Sequence, residues 1–232
     1  MSSIKAIFMK QARDAFKNAT IFIQFILFPI MAYAMTEMMA KPNDDIPNSM
    51  FVTMFGAMFA GMTPLTLTAM AIAEDKEHKS IRFLSMAGVK PHHYLSGIAG
   101  FILLASALVS VVFGLIGEFS GVLLAKFIFV LFLSSVASAL LGATVGVFAK
   151  NQQAATALAT PISIVVALFP TFAEFNESLA RVANLLFTQQ ASNILNSDPT
   201  ASMASPLLII FANIAVFLVL FVLAYKKKGL NS

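Results

Sequence analysis

Six long apolar runs, separated by short polar segments, dominate the pattern of this sequence. None of the runs contains Asp, Glu, Lys or Arg, and each is close to the length of about 20 residues that a membrane-spanning helix needs. The runs cover residues 18–36, 50–73, 94–117, 127–149, 151–173 and 203–225. This pattern predicts an all-α membrane protein with six transmembrane helices.

Residues 1–17, ahead of the first run, have an amphipathic pattern instead. The apolar positions on one face are Ile4, Ile7, Phe8, Ala12, Ala15 and Phe16. Lys10, Arg13 and Lys17 form a basic stripe on the other face. A helix of this kind lies among the headgroups of an anionic membrane, so we predict an N-terminal amphipathic interfacial helix. Packing of the same helix on protein is the alternative.

The longest polar segment between two neighbouring runs is residues 74–93. Ser80 is a suitable N-cap, because its hydroxyl can accept a hydrogen bond from a free backbone N–H. Gly88 suits the end of a helix, and Pro91 prevents its continuation. The segment therefore predicts a helix of roughly two to three turns over residues 80–87.

The charges of this segment are better suited to docking a partner than to stabilising the helix. Asp75 and Lys79 are four residues apart in the favourable order, which predicts an ion pair of only about 0.2 to 0.5 kcal/mol. Lys76, Lys79 and Arg82 recur at every third position and offer a basic surface to a partner.

Residues 174–202 are too long for a simple turn and too polar for a span. Phe175, Leu179, Val182 and Leu186 repeat at helical spacing, and a second short helix is expected around residues 191–195. The segment predicts two short helices between the fifth and sixth spans.

Two further patterns concern helix packing. The short connection around residues 118–121 predicts an antiparallel hairpin of the third and fourth spans. Gly142 and Gly146 form a GxxxG motif within the fourth span, where small residues let another helix approach closely. Packing inside the chain is favoured over a contact between two copies.

Composition confirms lipid as the main solvent of the chain. Hydrophobic residues make up 59% of the sequence and charged residues 11%, far below the roughly 25% of soluble domains. The chain has no cysteine, which excludes disulfides, thiolate metal sites and cysteine nucleophiles. It has no tryptophan either, so aromatic anchoring depends on Phe and Tyr.

The basic residues indicate the orientation. With both termini in the cytoplasm, all but Lys41, Lys126 and Arg181 of the 15 lysines and arginines lie on the inner side. We therefore expect a multi-pass protein of the cell membrane with residues 74–93 inside and residues 174–202 outside. Because the bases are spread over several membrane edges, lipid headgroups are a better partner than nucleic acid.

If the chain transports a substrate, the energy for transport must come from another protein. No G-x-x-x-x-G-K-[ST] loop is present, so any ATP is hydrolysed by another polypeptide. The runs contain no acidic residue, which argues against a carrier driven by protons or sodium. Scattered serines in the runs have no histidine at membrane depth, and His92 and His93 have no carboxylate close to them in sequence. We predict neither a catalytic nor a metal site.

One stretch of the sequence resembles a known family. The residues concerned are Glu74, Glu77, Ser80-Ile81-Arg82, Leu84, Gly88-Val89-Lys90-Pro91, Tyr94-Leu95 and Gly97. They resemble the loop between the second and third membrane helices of ABC-2 type transporter permeases, in which a coupling helix rests on the ATPase subunit. The stretch departs from the family where His78-Lys79 replace a common glycine and where Ile98 replaces a common lysine.

The resemblance implies a set of site residues and partners. The residues expected to couple to a cytoplasmic ABC ATPase are Glu74, Glu77, Ser80, Ile81, Arg82, Leu84 and Gly88. ATP and Mg would be bound by that ATPase and no cofactor by this chain, and a second permease copy or a paralogue would complete a homodimer or heterodimer. Residues 174–202 would form an external re-entrant helical segment.

The second and fifth spans would line the route by the same resemblance. The candidate pathway residues are Phe55, Phe59, Met62, Thr66, Thr156, Thr160 and Ser163. Abundant Phe and Met suit an adaptable apolar lining. The expected function is that of a permease subunit of an ATP-driven ABC exporter for a hydrophobic or amphipathic drug, antibiotic or peptide. The alternative is a membrane immunity or sensing protein, or a channel, that works without an ATPase.

Overall fold

The computed structural model describes residues 3–43, 45–80, 86, 89, 91–173, 175–197 and 202–228. Within these ranges the regular structure is entirely helical, as the sequence predicts. Ile81, Arg82, Leu84 and Gly88, and with them most of the expected coupling helix, lie outside the described residues.

The described residues form the following helices. They are α1 (Ser3–Lys17), α2 (Ala19–Met35, continued by a π-helical turn at Thr36–Ala40), α3 (Ser49–Glu77), α4 (Pro91–Ile116), α5 (Gly121–Phe148), α6 (Gln152–Ala173), α7 (Glu177–Ala183), α8 (Phe187–Asn196) and α9 (Ala204–Lys228). Among the described residues, α2, α3, α4, α5, α6 and α9 are long and apolar enough to cross a membrane, which confirms the six predicted spans. We call the end of the bundle where α3 finishes the Asp75 end, and the opposite end the Glu118 end.

Helix α3 lies at the centre of the bundle and packs most extensively on α5 and α6. The GxxxG motif explains its approach to α5. A Cβ atom added at Gly142 would overlap the backbone carbonyl of Leu65, and one added at Gly146 would lie 2.9 Å from the carbonyl oxygen of Ala69. Ser138 in α5 also donates a hydrogen bond of 3.0 Å to the carbonyl oxygen of Gly61. The predicted packing of this motif inside the chain is confirmed.

Helix α1 packs on the start of α4. A Cβ atom added at Gly97 would lie 2.7 Å from the side chain of Ile7. The rings of Phe8 and Phe101 pack edge to face, with their centroids 5.7 Å apart. Ile7 is buried, whereas Phe16, which the amphipathic pattern placed on the same face, is 81% exposed. The apolar face of α1 is thus divided between protein and the surroundings of the bundle.

The connection between α4 and α5 is tight. Glu118 and Gly121 both have positive φ angles, +56° and +55°, and reverse the chain within a few residues. For Gly121 this backbone conformation carries no Cβ penalty. The two helices pack against each other, which confirms the hairpin predicted for the third and fourth spans.

The outer helices expose apolar side chains. In the most apolar 18-residue stretch of α9 only 17% of the residues are buried, whereas 67% are buried in the corresponding stretch of α3. Leu208, Val219 and Leu223 of α9 are more than half exposed. Surfaces of this kind are stable in hydrocarbon but not in water, as expected of a chain whose solvent is lipid.

Candidate functional site

Three consecutive charged residues, Asp75, Lys76 and Glu77, form the last turn of α3. The sequence placed them in the loop between the second and third spans, but the helix continues through them and ends at Glu77, with His78 as its C-cap. Each of the three side chains binds a different part of the bundle. The segment expected to contact an ATPase, residues 74–93, includes this turn and continues after it.

Asp75 links α3 to α1 and α4. Its side chain is almost completely buried, with 1% of the residue exposed. One carboxylate oxygen pairs with the ammonium group of Lys10 in α1. The other accepts a hydrogen bond of 2.9 Å from the hydroxyl of Tyr94 in α4, which is itself buried. A buried carboxylate needs such partners, since an unpaired buried charge is strongly unfavourable.

One expectation is corrected at this point. The predicted pair of Asp75 with Lys79 does not form, because Lys79 lies beyond the end of α3 with φ +56° and Asp75 pairs with Lys10 instead. Lys10, part of the basic stripe of α1, remains 45% exposed at its side chain.

Lys76 links α3 to the end of α5. Its Nζ donates hydrogen bonds to the carbonyl oxygens of Val147 at 2.7 Å and Ala149 at 3.0 Å. The last carbonyls of a helix have no partner within that helix, and they carry the negative end of its dipole. The ammonium group therefore satisfies both the hydrogen bonding and the charge of this helix end.

Glu77 links α3 to the start of α6. Its Oε2 accepts a hydrogen bond of 3.0 Å from the backbone N–H of Gln152, the first residue of α6. The first N–H groups of a helix lack partners, and they favour a negative charge. Through the three residues together, the end of α3 is bound to α1, α4, α5 and α6.

The other coupling residues that the structure describes lie close to this turn. Glu74 is partly buried in the same turn of α3, and Ser80 is partly buried three residues after the helix ends. The roles assigned to them stay predictions, as do those of Ile81, Arg82, Leu84 and Gly88.

The expected pathway residues of α3 face the interior of this chain. Phe59 is completely buried and contacts three other rings. The ring centroids lie 6.4 Å from Phe25, 6.4 Å from Phe28 and 5.7 Å from Phe113. Phe55 is partly buried beside this cluster.

The remaining pathway candidates do not share one surface. Thr66 is buried, and its hydroxyl lies 2.8 Å from Oε1 of Gln24, while Met62 is partly buried. In α6, Ser163 is buried and donates to the carbonyl oxygen of Thr160 at 2.9 Å. Thr156 is exposed. A role for these residues in transport stays a prediction.

A cavity of about 510 Å³ opens at the Glu118 end, on a different face of α3. Its walls are the start of α3 and the ends of α6 and α8. The lining residues are Pro47, Ser49, Met50, Thr53, Met54, Ala57, Met58, Ala167, Pro170, Thr171, Ser192, Leu195, Asn196 and Ser197. The lining combines hydroxyl and amide groups with flexible methionines, and none of these residues is charged. Ligand sites of this size commonly have such a mixed lining.

Sequence reasoning missed this face of α3. A usable signal was present, because Met50, Thr53, Met54, Ala57 and Met58 recur at a spacing of three and four residues. From the sequence, Phe55 and Phe59 on the neighbouring face were selected instead, and these side chains pack in the interior.

Helix α8 closes one side of the cavity and is held by polar contacts. The hydroxyl of Thr53 lies 2.9 Å from Oδ1 of Asn196, and the hydroxyl of Thr188 donates to the carbonyl oxygen of Val166 at 2.7 Å. Thr188 also lies against α3, since a Cβ atom added at Gly61 would be 2.8 Å from its methyl group. Helix α8 is thereby inserted between α3 and α6.

Six apolar spans in the described part of the chain, five of them arranged around the central α3, define a multi-pass membrane protein. The sequence matches the family model described as "ABC-2 family transporter protein" over residues 2–223. The chain therefore belongs to the ABC-2 family and is a membrane permease of an ABC transporter, a transmembrane component that is not itself catalytic. No curated protein matches the sequence.

Proposed function

We propose that the chain is the permease subunit of an ATP-driven exporter that acts with a separate cytoplasmic ABC ATPase. The arrangement of Asp75, Lys76 and Glu77 carries this proposal. Residues 78–90 join the end of α3 to the start of α4, so force applied to them reaches both helices, and the polar contacts of the α3 end pass it to α1, α5 and α6. A bundle bound in this way moves as rigid units rather than deforming at one loop.

The proposed cargo is hydrophobic or amphipathic, a drug, an antibiotic or a peptide. The cavity at the Glu118 end supports this class, because it joins apolar side chains to neutral hydrogen-bonding groups without a charged residue in its lining. Helix α8 would act as an outer gate by leaving Thr53 and Val166 when cargo passes. The two short helices α7 and α8 would lie at the external side, with both termini in the cytoplasm.

The assembly that follows from this proposal contains two permease copies, or one copy and a paralogue, and two ATPase subunits. ATP and Mg would be bound on the ATPases alone. Closure of the ATPases would push on residues 78–90 and switch the bundle between inward-facing and outward-facing states. Helix α1 would lie along the inner leaflet, with Lys10 turned to Asp75 and the remaining bases turned to headgroups.

Reconstitution tests the proposal. The chain is purified with the ABC ATPase that co-purifies from its native membrane, placed in vesicles, and tested for stimulated ATP hydrolysis and for transport of a fluorescent amphipathic dye. We expect dye transport that requires ATP. The double variant E77K/R82E should lose stimulation of the ATPase, and K150E, which changes an exposed base at the same end of the bundle, should retain it.

Two results would contradict the proposal. Transport by the permease alone would favour the channel alternative. Unchanged stimulation by E77K/R82E, in protein that elutes as a single species, would remove residues 74–93 from the docking surface.

A further inference from the structure

A lateral groove of about 120 Å³ lies at membrane depth near the Asp75 end. Its floor is formed by α5 and α3, including Ala139, Ala143 and Ile72, and its walls by Leu103 of α4 and Phe221 of α9. Apart from Thr68 every lining residue is apolar, and a site of this kind does not hold water, which needs several polar partners. Hydrocarbon is the occupant that its chemistry favours.

The groove runs along the bundle rather than into it. On α4 its lining extends from Leu95 to Leu103, which at 1.5 Å per residue is roughly 12 Å along the helix axis. Helices α4 and α9 both pack on α5 and leave the space above α5 between them. An elongated apolar chain fits this shape.

Three lysines, Lys226, Lys227 and Lys228, lie at the end of α9, just past the groove. Lys228 is seven residues after Phe221 and therefore on the same face of α9, roughly 10 Å nearer the membrane edge. Its Nζ lies 5.5 Å from the ring centroid of Phe148, the last residue of α5. All three lysines are exposed, and within the described part of the chain none of them forms an ion pair.

We propose that the groove and the lysine triad together bind one anionic phospholipid. An acyl chain lies in the groove between α4 and α9, and the phosphate is bound by the triad, which consists of Lys226, Lys227 and Lys228. The spacing of the two features along α9 matches the order of chain and headgroup in a lipid of the leaflet at the Asp75 end. Basic side chains at a membrane edge attract anionic headgroups in the same way.

A second copy of this chain is a weaker occupant of the same groove. Closed dimers use the same patch on both copies, so a symmetric contact here would bring two lysine triads close together. The groove lining offers no acidic residue to compensate that repulsion. An anionic lipid supplies the missing negative charge.

The absence of tryptophan allows a direct test. The variant F221W places one fluorophore at the wall of the groove. It is reconstituted into phosphatidylcholine vesicles that contain increasing fractions of either brominated phosphatidylglycerol or brominated phosphatidylcholine, since bromine quenches tryptophan on contact. We expect quenching to show a preference of about fivefold or more for the anionic lipid.

Two matched proteins complete the experiment. L218W reports a position that is 47% exposed on the same helix, at nearly the same depth, and should be quenched equally by both lipids. F221W combined with K226Q/K227Q/K228Q should lose the preference for phosphatidylglycerol while its elution profile and melting temperature show a folded bundle.

Three results would overturn the assignment: equal quenching of F221W by both lipids, a preference that survives K226Q/K227Q/K228Q, or no quenching of F221W by either lipid. The last would show that protein covers the groove. The measurement needs neither an ATPase nor transport, so it stands or fails independently of the proposed exporter function.

Discussion

The hydroxyl of Tyr94 donates a hydrogen bond of 2.9 Å to the carboxylate of Asp75, and both side chains are buried at the end of the central helix. With Lys10 on the other oxygen, the carboxylate joins three helices that are distant in sequence. Asp75 and Tyr94 are shielded from water, whereas Lys10 is 45% exposed at its side chain, so the two buried groups depend on each other for hydrogen bonding.

A double-mutant cycle should measure this dependence. We expect D75A and Y94F to show a coupling free energy of about 1.5 to 3 kcal/mol, the range for hydrogen bonds to charged groups. Unfolding by denaturant in detergent micelles gives the four free energies. The exposed pair of Glu37 and Lys41 is the control: its hydrogen bond of 2.6 Å raises the pKa of Lys41, but solvent screening should leave no measurable coupling. A coupling near zero for D75A and Y94F would contradict the buried network.

Lys76 should contribute to stability through the end of α5. In K76M the carbonyl oxygens of Val147 and Ala149 lose their donor, and we expect the free energy of unfolding to fall by about 1 to 3 kcal/mol. K79M is the matched control, because Lys79 is exposed and outside the helix, and it should change the free energy by less than about 0.5 kcal/mol. Equal effects of the two variants would show that the contacts with α5 add nothing.

The approach of α3 to α5 should tolerate no methyl group at Gly142. G142A places a Cβ atom against the carbonyl of Leu65, and overpacking of this kind costs about 1 to 3 kcal/mol. G100A adds the same methyl group where the nearest atom is 3.9 Å away, so it should be neutral or slightly stabilising. Melting temperatures in detergent distinguish the two cases. Similar values for both variants would mean that the helices are farther apart than described.

The gate role of α8 can be tested by cross-linking, since the chain contains no cysteine. T53C/N196C places thiols where the two side chains now lie 2.9 Å apart. A short reagent that forms a disulfide bond with each of the two thiols should cross-link them and stop dye transport. A reductant that cleaves these disulfide bonds should restore transport. Q189C/N193C links two positions within α8 itself and should leave transport unchanged. Continued transport through cross-linked T53C/N196C would exclude a gate movement at Asn196.

The six spans, the hairpin and the internal packing of Gly142 and Gly146 were predictable because each depends on local pattern. Apolar length marks a span, a short connection forces neighbouring helices together, and small residues at GxxxG spacing mark a close contact. These signals need no knowledge of which helix lies beside which.

The site at the end of α3 was only partly predictable for the opposite reason. Glu77 was singled out from its resemblance to a coupling loop, but the roles of Asp75 and Lys76 depend on partners 65 and 71 residues away in sequence. The end of α3 was also not predictable from its polar residues. A loop and a helix turn that is bound by long-range contacts have the same composition. A single sequence does not carry such pairings.

The central position of α3 also affects how the protein is made. It is the second span to leave the ribosome, whereas α5 and α6, on which it packs most extensively, are synthesised later. A nascent chain that ends after α4 leaves the surface of α3 that later packs on α5 and α6 without these partners. The bundle can therefore close only late in translation, and its core is completed only when α8 and α9 add Phe187, Ile194 and Ile210.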